Sequence, residues 1–150
     1  MNGAIAYYGK PNLTNLVLLA SGARTVTAGT NGTAVAGLGE WRVLNLQLDV
    51  TAAATEVGDT LDVYVQTTID GTNWVDIYHF TQCVGNGSAK RYFGKIVWDA
   101  ALTEFENATA LGAAAGRAII GDQYRVKYVI VEANANANSS FTFSVTANAA

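Results

Sequence analysis

The sequence predicts an all-β fold, an antiparallel β-sandwich or jelly-roll-like domain of about eight strands. Three observations predict it. Apolar residues recur with period two, no run shows a helical period, and turn residues separate the alternating runs. The clearest case is Trp41–Val50, where Leu44, Leu46, Leu48 and Val50 fall on one face and Asn45, Gln47 and Asp49 on the other.

The next runs follow the same rule. Leu61, Val63 and Val65 alternate with Asp62, Tyr64 and Gln66. In Trp74–Phe80, strict alternation places Trp74, Asp76, Tyr78 and Phe80 on one face and Val75, Ile77 and His79 on the other. Between them Asp70-Gly71-Thr72-Asn73 is a turn sequence that closes a hairpin. Asp70, Gly71 and Trp74 are therefore its candidate defining residues.

Arg91–Trp98 groups Tyr92, Ile96 and Trp98 on one face, and Gln123–Val131 groups Tyr124, Val126, Tyr128 and Ile130. Phe141, Phe143 and Val145 alternate with Thr142, Ser144 and Thr146. Leu16–Leu19 and Thr25–Ala28 are two further candidate strands ahead of the Gly- and Ala-rich stretch Gly29–Gly39. Asp99–Gly121 reads as a long excursion with one helical turn around Leu102–Asn107, because Gly112 and Gly116 oppose a longer helix. Residues 1–150 form one domain, with an N-terminal arm over 1–15 and the long loop over 99–121.

Composition narrows function. The chain has 150 residues, enough to bury a core without disulfides. Charged residues make up 14%, against about 25% in an average soluble domain. Asn, Thr, Ser, Ala and Gly replace the missing charge, which suits a surface covered by neighbouring protein. The net charge is −3, and the longest basic cluster is Lys90-Arg91. That excludes the basic footprint of direct nucleic-acid binding. No segment reaches the ~20 apolar residues of a membrane helix. The Leu13–Ala20 patch follows Pro11, two tyrosines and a single Lys, so no secretory signal is expected.

Catalytic chemistry finds little support. Cys83 is the single cysteine and His79 the single histidine, which leaves no disulfide and no thiolate metal site. On an extended strand these two would stand more than ~13 Å apart, too far for a nucleophile and its base. His79 reads as a strand histidine bonded to a neighbour. The carboxylate pairs Asp59/Asp62, Asp70/Asp76 and Glu104/Glu106 cannot be set across a cleft from sequence, and Asp70 is better explained as a turn former. No calcium loop or phosphate loop is present. The five N-x-S/T matches, beginning at Asn12, Asn31, Asn86, Asn107 and Asn138, are expected by chance in so Asn- and Thr-rich a chain. The expectation is a protein without cofactor, metal or enzymatic activity.

Two segments carry a resemblance. LDVYVQTTIDGTNWVDIYHFTQ (Leu61–Gln82) resembles a strand–turn–strand unit of small virion proteins of tailed bacteriophages. YRVKYVIVEANANANSSFTFSVTANA (Tyr124–Ala149) resembles the end of the same proteins. The resemblance implies a head decoration (cement) protein of the capsid, or else a neck or tail accessory protein, assembled in the host cytoplasm. Its implied partners are copies of itself, a trimer above all, and a major capsid or other virion protein. In this reading Tyr7, Tyr8, Pro11 and Leu13 form an inter-subunit arm. The Gly29–Gly39 loop, the excursion and the C-terminal tail also reach neighbours.

Thr68–Trp74 is also similar to the DG-x-x-W hairpin of discoidin-like carbohydrate-binding sandwiches. It departs from the Asp box of sialidase-type propellers, since Gly71 follows Asp70 directly and the motif is single. That alternative implies a sugar-binding module and needs Trp41, Trp74 or Trp98 exposed as a stacking platform.

Overall fold

A computed structural model describes residues 13–25, 27–38, 40–98, 104–107, 109–134 and 139–150. Among them there is no helix. Eleven strands form two antiparallel sheets packed as a sandwich, against the eight expected. The surplus is three two-residue pairings that sequence periodicity cannot register: β3 (Val35–Ala36), β7 (Cys83–Val84) and β9 (Ala115–Gly116).

The smaller sheet has the order β1 (Leu13–Thr25), β11 (Ser140–Ala149), β4 (Val43–Ala52), β8 (Lys90–Val97). The larger has β2 (Thr27–Asn31), β10 (Gln123–Val131), β5 (Thr60–Thr68), β6 (Trp74–His79) and β9, with β3 also on β10 and β7 also on β5. The core lies between them. Leu44, Leu46, Leu48 and Val50 from β4 and Phe141, Phe143 and Val145 from β11 face Val63 and Val65 from β5 and Tyr124, Val126 and Ile130 from β10. Each such side chain removed from water contributes about 1.5–3 kcal/mol. The alternation expected for β4, β10 and β11 holds residue by residue, and that of β5 holds through Val65, beyond which Gln66 and Thr67 are both buried.

Strand β6 departs from it. Tyr78 pairs with Val65 and Asp76 with Gln66, so Ile77 is an extra residue in the ladder, a β-bulge. The bulge inverts the alternation beyond it. Trp74, Asp76 and His79 therefore share the outer side with Thr68, Gln66 and Tyr64. Ile77, Tyr78 and Phe80 are all buried, and Tyr78 meets the Phe80 ring edge-on at 4.9 Å. The expected grouping of Tyr78 and Phe80 with Trp74 and Asp76 is corrected accordingly.

Several segments expected to reach neighbours are paired within this chain. Gly29–Asn31 and Val35–Ala36 lie on β10, and the Gly32 N–H donates to the Val126 carbonyl at 2.7 Å. The end of the C-terminal segment is the inner strand β11. Ala150 exchanges backbone bonds with Val43 and also accepts from Arg42. Of the excursion, β9 lies on β6, and the Arg117 N–H donates to the Ile77 carbonyl at 2.7 Å. Buried backbone groups need partners, and these segments find them in their own sheets. Leu13 opens β1 opposite Ala149. Tyr7, Tyr8 and Pro11 lie outside the described residues, as does Leu102 of the expected helical turn.

Candidate functional site

Sequence chemistry gave three places to look: the hairpin, His79 with Cys83, and the carboxylates. The hairpin is a folding device. Asp70 Oδ1 accepts from the N–H groups of Asn73 (2.7 Å) and Thr72 (2.8 Å) and from the Thr68 hydroxyl, and Oδ2 accepts from the Asn73 amide. Gly71 follows with φ 76°, the left-handed region that glycine enters without strain. Bonds from Asn73 and then Thr72 hold the Asp70 carboxyl well below the usual carboxylate range.

His79 and Cys83 do not meet chemically. His79 Nε2 lies 3.0 Å from Asp62 Oδ1, and its Nδ1 lies 3.0 Å from the Leu111 carbonyl. Both ring nitrogens thus stand within hydrogen-bond distance of an acceptor oxygen. Cys83 is buried in the core, and burial pushes its thiol up against the opposing influence of Lys90 and Tyr92. Among the described residues, no group of three His, Cys, Asp or Glu side chains is placed to hold a metal.

The outer face of the larger sheet is internally paired. Arg125 Nε donates to Gln66 Oε1 at 2.8 Å, and Gln66 Nε2 donates to Asp76 Oδ1 at 2.7 Å. Asp76 Oδ2 lies 3.7 Å from Lys127 Nζ, which sits 4.7 Å from the Tyr64 ring centre. Tyr64 stacks on His79 at 4.0 Å, and Gln82 donates to the other Asp62 oxygen at 2.7 Å. Arg125 also covers the Trp74 ring at 4.1 Å. Burial lowers the Arg125 pKa and, with Asp62 and Asp76 nearby, raises that of Tyr64. Arg125, Gln66, Asp76, Lys127, His79, Asp62 and Gln82 each use a polar group on a neighbour in this chain of contacts. Of the acidic pairs of the sequence, Asp62 and Asp76 end here and Asp70 in its turn, Asp59 is buried and accepts from the Ala133 N–H at 2.8 Å, and Glu104 and Glu106 are exposed on the excursion.

The outer face of the smaller sheet is different. Its residues are Asn45, Gln47 and Asp49 on β4, Ser144, Thr146 and Asn148 on β11, Asn15 and Val17 on β1, and Arg91, Phe93, Lys95 and Val97 on β8. Asp49 and Arg91 neutralise each other at 3.0 Å, leaving Lys95 as the remaining charge of that set. Phe93 is 73% exposed and Val17 56% exposed. A depression of about 150 Å³ lies beside Phe93, lined also by Asn15, Asn45, Gln47, Thr146 and Asn148 among others. Asn15 is held at φ 55°, and its N–H donates to Asn148 Oδ1 at 2.9 Å.

This face is the candidate site. Sequence reasoning missed it by following the inward residues of β8, although the alternate positions Arg91, Phe93, Lys95 and Val97 were the available signal. Of the three tryptophans, Trp41 is 2% exposed and donates to the Tyr124 hydroxyl at 2.8 Å, so it is no platform. Trp74 lies beneath Arg125. Trp98, expected beside Tyr92 and Ile96, is 49% exposed because β8 ends at Val97.

In comparisons with known proteins, no family model, no curated protein and no solved structure matches the chain.

Proposed function

We propose that this chain is a non-catalytic structural subunit of a tailed-phage virion, acting through the outer face of its four-stranded sheet. The decoration (cement) role on the capsid is the first form of this proposal, and the neck or tail accessory role the second. One observation carries the binding reading: a nearly neutral sheet face, with Phe93 largely exposed at one edge, beside a second face whose polar groups are consumed internally. Large rings at that degree of exposure are what protein interfaces bury. The virion assignment itself draws on the pattern of Leu61–Gln82 and Tyr124–Ala149.

The test is to band particles of the virus that encodes the chain and look for it by mass spectrometry. Particles lacking it should release DNA at a lower temperature than wild type. Absence of the chain from banded particles overturns the proposal. A gene for a major capsid or tail protein next to its own gene would support it.

The same face favours one second reading, binding of a neutral glycan, because amides and hydroxyls surround an exposed ring. A glycan-array signal abolished by Phe93→Ala would support that reading. Silence across the array would remove it.

A further inference from the structure

The outward residues of the smaller sheet form rows that cross its strands. One row runs Phe93, Gln47, Thr146, Val17 from β8 to β1. The next runs Lys95, Asn45, Asn148, with Asn15 bonded at its β1 end. On the other side lies Arg91, Asp49, Ser144. The central row thus has its apolar side chains at its two ends and an amide and a hydroxyl between. Such a row matches its own image turned over about an axis parallel to the strands. Phe93 then lands on Val17 of the second copy, and Gln47 on Thr146.

We infer that this face binds a second copy of the chain, sheet against sheet, about a two-fold axis parallel to the strands. The inference rests on the assembly reading above and names its partner surface. Charge selects the axis. A two-fold axis lying across the strands would set Lys95 over Arg91 of the second copy, so that two cations share the one Asp49 carboxylate, the less favourable arrangement. The axis along the strands sets Lys95 against the Asn15 edge. It also sets Arg91, already neutralised by Asp49, against the uncharged β1 residues between Leu19 and Gly22. Every contact of a two-fold interface occurs twice, so the pairing of Phe93 with Val17 is made at both edges.

Size sets the strength. Four strands about 4.8 Å apart and about eight residues at roughly 3.4 Å each give a footprint on the order of 500 Å² per copy. That total, roughly 1,000 Å², falls in the range of weak, reversible complexes. A micromolar dissociation constant is the expected order, and repetition on a lattice would raise the effective affinity.

The experiment uses the full chain with Val17→Cys or Phe93→Cys, both at exposed positions, while buried Cys83 stays unreactive. A short bismaleimide suits sheets that face each other about 10 Å apart. A mixture of the two variants should yield a covalent dimer with one chain of each, and neither variant alone should do so. In sedimentation, Phe93→Asp should weaken the wild-type dimer by at least about tenfold. A wild-type chain monomeric up to about 100 µM overturns the inference, since that lies well above the expected constant. An oligomer that ignores Phe93→Asp and gives no mixed cross-link overturns the assigned face but leaves the assembly reading standing. Absence from banded particles would instead defeat the virion reading and leave the dimer.

Discussion

Tyr78 of β6 occupies the space that a side chain at Gly94 of β8 would fill: a Cβ there would stand 2.4 Å from Tyr78 Cζ and 2.5 Å from its hydroxyl. The contact joins the two sheets at the β8 edge of the sandwich, and it exists because the Ile77 bulge turns Tyr78 inward. Gly94→Ala should destabilise the fold by about 1–3 kcal/mol in urea unfolding, the usual cost of overpacking. Adding Tyr78→Val should recover part of that loss. Strict additivity of the two substitutions would show that they do not touch.

His79 ties the excursion to the larger sheet through the Leu111 carbonyl. His79→Phe keeps the ring stack on Tyr64 but removes both polar contacts, at a cost of about 1–3 kcal/mol. Hydrogen exchange should accelerate across Thr109–Arg117 more than across β10. Uniform acceleration over the chain would mean that the histidine stabilises the fold without specifically pinning this segment.

Asp70 gives a pH signature. Its folded-state pKa lies below the unfolded value of about 3.9, so its contribution is complete above that value and fades as pH falls beneath it. Asp70→Ala should therefore lower the urea midpoint at neutral pH, with the gap to wild type narrower at about pH 2. A gap of equal size at both pH values would place the effect elsewhere in the turn.

Cys83 should resist alkylation. Burial raises its thiol pKa and closes off access, so iodoacetamide at neutral pH should modify it only as fast as the protein opens. Modification at the rate of a free thiol would contradict its place in the core.

Much of the fold was legible because burial writes itself into alternation. β4, β5, β10 and β11 each have one face in the core, and the apolar positions that mark it are the residues found there. Asp70-Gly71 was legible for a local reason, since its bonds close within three residues. The β6 assignment failed at Ile77 because a bulge is a property of pairing with β5, invisible in β6 alone. Val35–Ala36 and Ala115–Gly116 are too short to show a period. The candidate site was illegible for a related reason: Phe93 marks a surface only once Gln47 and Thr146 stand beside it and the opposite face is seen to be self-paired.

By itself the sequence determined the class of fold, the core-facing side of four strands, the hairpin turn and the low charge of the surface. All of these follow from the chemistry of neighbouring residues along the chain. Tertiary structure alone decided which strands became edges, where the β6 ladder slipped, and which outer face set an exposed aromatic ring among amides and hydroxyls. Those depend on contacts between residues far apart in sequence, such as Asp49 with Arg91 and Arg125 with Gln66, whose distances are set only when the sheets assemble.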